Sequence, residues 1–222
     1  MALFLFAGQT CSEEQDGVAL RGVSDHVRRA AGEMGVVLEE VRVCFAPAHT
    51  DRTWAVYEPT PREVASCGGD WWKAERRTQS VPALRQDLTA SASEVWAAMD
   101  EAFERFGFLV LCGCSNGCLV AMEYASTHPK RVRALLMLSG LPSVSQQRAV
   151  TAGYKRLPPT CFTVGTWETY FGGRDAFESV ATALACSLVG FHGKHNHEDA
   201  ATVCNATRTA LRVYPDRLTA AW

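Results

Sequence analysis

Residues Phe108–Tyr124 read FLVLCGCSNGCLVAMEY, an apolar run, a Gly-x-Ser-x-Gly turn at Gly113, Ser115 and Gly117, and a second apolar run. The first run is continuous rather than alternating, as in a strand buried on both faces, and the second suits a helix that starts at the turn. A strand, a tight glycine-flanked turn and a helix together present the central serine hydroxyl above the end of a sheet. Side chains at positions 113 and 117 would collide with the strand or the helix. With glycine there, the helix amino terminus lies beneath Ser115 and favours negative charge at that spot. Ser115 is therefore the candidate nucleophile.

Outward from this segment, apolar runs alternate with helical patterns, the arrangement that gives a parallel sheet covered on both faces. Strands are expected at Leu3–Ala7, Val36–Phe45, Phe108–Cys112, Ala134–Leu138, Cys161–Thr166 and Ser187–Phe191. Helices are expected at Gly17–Glu33, Ala92–Phe106, Cys118–Thr127, Phe177–Ala185 and Glu198–Val213, with a Ser91-x-x-Glu94 capping box opening the second. The long stretch from His49 to Thr89 carries Pro59, Pro61, Gly68, Gly69 and Pro82 together with Trp54, Tyr57, Trp71 and Trp72. Its aromatics must be buried somewhere, so it reads either as a cap or pocket wall, with Trp71 and Trp72 on the substrate, or as a satellite core under a loop.

The chain of 222 residues suits a single domain, 1–222. Its 22 basic and 24 acidic residues give a net charge of −2 without long runs of either sign, which excludes nucleic acid and anionic membranes as implied partners. No apolar segment approaches the ~20 residues of a membrane span. The apolar start of the chain, Met1–Gly8, lacks a basic flank and reads as a strand rather than a signal. The nine cysteines include Cys112, Cys114 and Cys118 in one apolar stretch, which fits reduced thiols and a cytoplasmic setting. Asn205-Ala206-Thr207 is a chance sequon on a helix.

The elbow, the helix after it and the run Ala134–Gly140 resemble the small carboxylesterase, lysophospholipase and fungal-type serine hydrolase branches of the α/β-hydrolase superfamily. The resemblance implies an α/β-hydrolase fold with a mostly parallel six-stranded sheet, a serine–histidine–acid triad in that chain order, no cofactor, and a small acyl ester or thioester as substrate. It implies an oxyanion hole as well, at the turn after the first core strand. Ala7 stands where the family often has histidine, but a backbone amide is the donor, so the N–H groups of Gln9 and Asn116 are the candidates. A mere strand-to-helix turn at Gly8-Gln9 is the other reading.

Three histidines cluster in Phe191–His197, after the last expected strand. Gly193-Lys194-His195 resembles the family's histidine loop, so His195 is the candidate base, with His192 and His197 as neighbours that share the loop. Pro159 to Glu168 parallels the family's proline, apolar strand and Gly-x-x-acid pattern, which makes Glu168 the candidate acid. Asp175, in Gly172-Gly173-Arg174-Asp175, has the same spacing without the strand and is the alternative.

Two readings compete from other classes. His195-Asn196-His197-Glu198-Asp199 contains the His-x-His-x-Asp string of binuclear metallohydrolases, but Ala200 follows where a further histidine would stand, so no metal is assigned. A ligand-binding protein that keeps the fold without turnover is the second alternative. The oligomeric state is not legible in the sequence.

Overall fold

The computed structural model describes residues 1–8, 11–47, 54, 81–168, 171, 173–194 and 199–212, with only the helical backbone at 81–87, 89 and 90. The six expected strands all form: β1 (Ala2–Phe6), β2 (Glu40–Cys44), β3 (Leu109–Cys114), β4 (Val132–Leu138), β5 (Thr160–Gly165) and β6 (Ser187–Phe191). They pair in the order β2-β1-β3-β4-β5-β6, and every pairing is parallel. Among the described residues the helices are α1 (Glu13–Glu33), α2 (Val81–Phe106), α3 (Gly117–Thr127), α4 (Val144–Thr151), α5 (Arg174–Ala183) and α6 (Ala200–Arg212).

The sequence of β1, Ala-Leu-Phe-Leu-Phe, explains how one sheet supports two cores. Successive side chains point to opposite faces. Phe4 and Phe6 join Leu109, Leu111 and residues of α2, α3 and α5 in one cluster. Leu3 and Leu5 join Val110, Leu136 and residues of α1 and α6 in the other. Both sides of the strand are fully buried, which is why its sequence is apolar without interruption.

Strand order also sets where a ligand can sit. From β1 the chain crosses through α1 to β2 at the edge, then returns through α2 to β3 on the other side of β1. The direction of winding reverses between β1 and β3, and a crevice opens beyond their carboxyl ends at such a point.

Three expectations need correction. Helix α2 begins at Val81 rather than Ala92, so residues 81–89 are not part of a loop. Pro82 is tolerated because it lies in the first turn, where its missing N–H has no helical partner to lose. The Ser91-x-x-Glu94 capping box is overturned with it: Ser91 lies inside the helix, and its buried hydroxyl donates to the Trp54 carbonyl. Helix α4 was not expected from the sequence. It opens on a capping box in which the Ser143 hydroxyl accepts from Gln146 N at 3.2 Å and the Gln146 side chain accepts from Ser143 N at 3.1 Å. Elsewhere the differences are a few residues at element ends. Helix α1, for example, starts at Glu13 because Ser12 caps it, accepting from Gln15 N.

Candidate active site

Ser115 stands between β3 and α3, with a backbone φ of +49°. A left-handed conformation is costly for a residue with a side chain and persists only where its surroundings impose it. They do so here. Ser115 N donates to Leu138 O of β4 at 2.9 Å, and Cys118 N in the first turn of α3 donates to Ser115 O at 3.0 Å. The side chain is almost buried, with 9% of its residue surface exposed.

The glycines on either side are dictated by contact. A Cβ at Gly113 would stand 2.5 Å from Cys118 Cα, and one at Gly117 would stand 2.4 Å from Phe6 O. The first glycine lets α3 fold back against its own strand. The second lets the amino terminus of α3 rest on the end of β1.

Asn116, buried, is the N-cap of α3, and its side-chain Oδ1 accepts a 2.9 Å hydrogen bond from Trp54 N. Trp54 is itself fully buried. Its indole N–H donates to Ala7 O at 2.8 Å, and its ring meets Phe6 edge-on with centroids 5.8 Å apart. One tryptophan from the segment between β2 and α2 thus ties the end of β1 to the elbow. The aromatic content of that segment pointed to a wall over the site, but not to this role for Trp54. Gly8 lies beside Ser115, since a Cβ there would be 3.4 Å from Ser115 Cβ. The expected oxyanion donors therefore divide: Asn116 is at the elbow, and Gln9, next to Gly8, lies outside the described residues.

At the next pair of strand ends, the turn after β5 and the loop after β6 are bound to each other. Thr166 N donates to Phe191 O at 2.9 Å, Trp167 N donates to Gly193 O at 3.0 Å, and the Trp167 ring meets His192 with centroids 4.3 Å apart. Gly165 makes the approach feasible, because a Cβ there would be 2.5 Å from Gly193 O. Glu168 ends this turn and is 4% exposed, whereas Asp175 is exposed in the first turn of α5. His195 and His197 lie outside the described residues, as do Trp71 and Trp72; His192 is exposed at the rim. Of the string that suggested a metal, Asp199 is described, and its carboxylate accepts from Thr202 N at 2.7 Å at the start of α6. That bond holds its carboxyl below the usual aspartate range.

Burial pushes the thiols of Cys44 and Cys161 up to about 12 and that of Cys186 to about 11, so these groups are protonated at neutral pH and poor nucleophiles. Among the described residues, no helix is long and apolar enough to cross a membrane.

No family model and no curated protein matches the chain in sequence. Solved structures do match in fold. SOBER1 of Arabidopsis thaliana superposes with a TM-score of 0.63 at 15% identity, covering 95% of this chain and 97% of that one. Esterase PE8 gives 0.63 at 15% identity over 93% of this chain and 89% of its own. A carboxylesterase from Mesorhizobium loti gives 0.56 at 16% identity, over 96% and 88%. Matching such proteins over nearly their whole length, with a parallel sheet and a serine turn at the end of its third strand, this chain has the α/β-hydrolase fold.

Proposed function

We propose that the protein is a serine hydrolase that cleaves a carboxylic ester or thioester through an acyl-enzyme. The observation that carries this reading is Ser115 itself: a serine forced into a left-handed conformation, between two glycines that admit no Cβ, beside the crevice where the sheet reverses its winding. Strain of this kind is costly and is retained where a side chain must be presented. Two of the structural neighbours are described as an esterase and a carboxylesterase, which agrees with the reading.

In this mechanism the Ser115 Oγ attacks the substrate carbonyl carbon while His195 takes its proton. The carbonyl oxygen becomes an oxyanion held by the N–H groups of Gln9 and Asn116 at the amino end of α3. Collapse breaks the bond to the leaving oxygen or sulfur, which receives the proton from His195. Water, activated by the same imidazole, then attacks the acyl-enzyme, releases the acid and returns the proton to Ser115. Glu168 orients His195 and stabilises its protonated form. Burial of Glu168 and the bonds joining its turn to the histidine loop support that assignment over the exposed Asp175. The domain is read as 1–222 with the segment that contains Trp54, Trp71 and Trp72 as pocket wall, a reading supported by the contact of Trp54 with the elbow.

Kinetics of three variants test this, each first checked for folding by circular dichroism. Ser115→Ala should lose about 10⁶ in turnover on an activated ester. Glu168→Gln should lose up to ~10⁴, while Asp175→Asn should stay within a few-fold of the wild type. Near-normal turnover in folded Ser115→Ala removes the nucleophile assignment. A large loss in Asp175→Asn beside a normal Glu168→Gln transfers the acid to Asp175.

A further inference from the structure

A second strained serine stands one strand away from the nucleophile. Ser139 follows β4 directly, has a φ of +46° and is fully buried. Among the described residues the other non-glycine positive φ besides Ser115 belongs to Ala185, which precedes β6 and so lies at the opposite end of the sheet. Strain of this kind persists only where neighbours impose it.

The peptide that joins Leu138 to Ser139 is held on both sides. Its N–H, on Ser139, donates to the Thr163 hydroxyl of β5 at 3.0 Å, and its carbonyl, on Leu138, accepts the Ser115 N–H at 2.9 Å. A trans peptide is planar, so its N–H and C=O point in opposite directions and turn together. The Thr163 hydroxyl therefore fixes the direction of the carbonyl that holds the nucleophile's amide. Pairing of β4 with β5 runs from Leu135 with Thr160 to Met137 with Phe162, so Ser139 lies beyond the ladder and a side-chain oxygen stands in for a strand carbonyl. Gly140 closes the same stretch against the elbow, since a Cβ there would be 2.5 Å from Ser115 O.

We propose that Thr163 is a positioning residue for the Ser115 nucleophile, acting through the peptide between Leu138 and Ser139. The inference rests on the serine-hydrolase reading of Ser115. Thr163 is fully buried and offers no surface to a substrate. In a strand buried at every position, valine would pack at least as well as threonine, so packing does not account for the hydroxyl. Without it the Ser139 N–H loses this acceptor and the peptide can turn. The Ser115 amide then shifts, and with it Oγ and the next amide along, that of Asn116. Misplacement of a reacting atom by about 1 Å costs roughly 100-fold in rate.

The test compares Thr163→Val, Thr163→Cys and Thr163→Ser with the wild type, using p-nitrophenyl acetate and a fluorophosphonate. Folding is checked by circular dichroism, and only hydrolysis lost in Ser115→Ala is counted. Thr163→Val should lower kcat about 10- to 100-fold with KM within about twofold, and should slow labelling of Ser115 by a similar factor. Thr163→Cys keeps the size and offers only a weak acceptor, so it should lose roughly fivefold or more and serves where the valine variant fails to fold. Thr163→Ser restores the hydroxyl and should stay within a few-fold of the wild type. Wild-type kcat and labelling in a folded valine or cysteine variant, whatever its stability, overturn the proposal. So does a serine variant as impaired as valine, or a change confined to KM. Each of these results leaves the serine hydrolase in place. Absence of any Ser115-dependent hydrolysis in the wild type, with Ser115 also unlabelled, overturns the hydrolase reading and the positioning role with it.

Discussion

Ser115 carries two opposed demands, and its backbone reports both. A φ of +49° on a residue with a Cβ costs on the order of 1 kcal/mol, and the surrounding hydrogen bonds hold it in place. Ser115→Gly should therefore unfold at higher denaturant concentration than the wild type, by about 1 kcal/mol, while losing hydrolysis altogether. Equilibrium urea denaturation beside an ester assay reads both effects. A glycine variant no more stable than the wild type would mean that the elbow stores no strain. The glycines around it were legible in the sequence because they stand between a strand-like and a helix-like apolar run, a context in which a tight turn needs them. Trp54 was not, because a tryptophan in a proline-rich stretch gives no sign of which backbone groups its indole and amide will reach.

At the scale of elements, the same helix that begins at the elbow is anchored on its far flank. Glu123, buried in α3, pairs with Lys155 at 2.5 Å and accepts from the Gln146 side chain of α4 at 3.3 Å. Removing one member of a buried pair leaves the other uncompensated, so Lys155→Ala should cost about 3 kcal/mol in thermal or chemical unfolding. A loss below about 0.5 kcal/mol would mark the pair as an ordinary surface contact. Helix α6 begins at a second charge. The carboxyl of Asp199 is held below its ordinary pKa by the amide of Thr202, so its contribution is present above the unfolded aspartate value of ~3.9 and is lost as pH falls through the depressed folded value. Asp199→Ala should cost about 1 kcal/mol near neutral pH and progressively less in acid. An equal cost at neutral pH and at about pH 3 would argue against a charged cap.

Which elements could be read in advance follows from how each is stabilised. The inner strands β1, β3, β4 and β5 announce themselves because a central parallel strand is buried on both faces, whereas the edge strands β2 and β6 are half-buried and show only short, mixed apolar runs. Helix α4 escaped because it is eight residues long and owes its start to a side-chain cap rather than to an apolar stripe. Helix α2 is legible only from Ala92 because Pro82 reads as one more loop residue and a serine three residues before a glutamate looks like the start of a helix, and only the tertiary contact with Trp54 decides that Ser91 is inside one.

For the whole molecule, the position of the candidate site follows from winding order. Because β1 is laid down first and β3 is added on its other side, Gly8 and Ser115, 107 positions apart, become neighbours across the crevice, with Asn116 beside them. The turns after β5 and β6 then bring the turn that ends at Glu168 against Phe191, His192 and Gly193 along the same rim. The geometry of the elbow was legible at Ser115, where a motif and its context coincide. The two candidate acids, which spacing alone could not separate, differ in burial, and the proposed triad takes the buried Glu168 rather than the exposed Asp175. The histidine, Gln9 and the paired tryptophans lie outside the described residues, so their roles rest on sequence and on the proposal above. The claim on which everything else depends is that Ser115 is an activated nucleophile. Incubation of the folded protein with a fluorophosphonate, followed by intact mass and peptide mapping, tests it without knowledge of the substrate. The account predicts one adduct per chain, on the peptide that contains Ser115, and none in Ser115→Ala. A folded wild-type protein that takes up no label, or one whose label remains in Ser115→Ala, would contradict it.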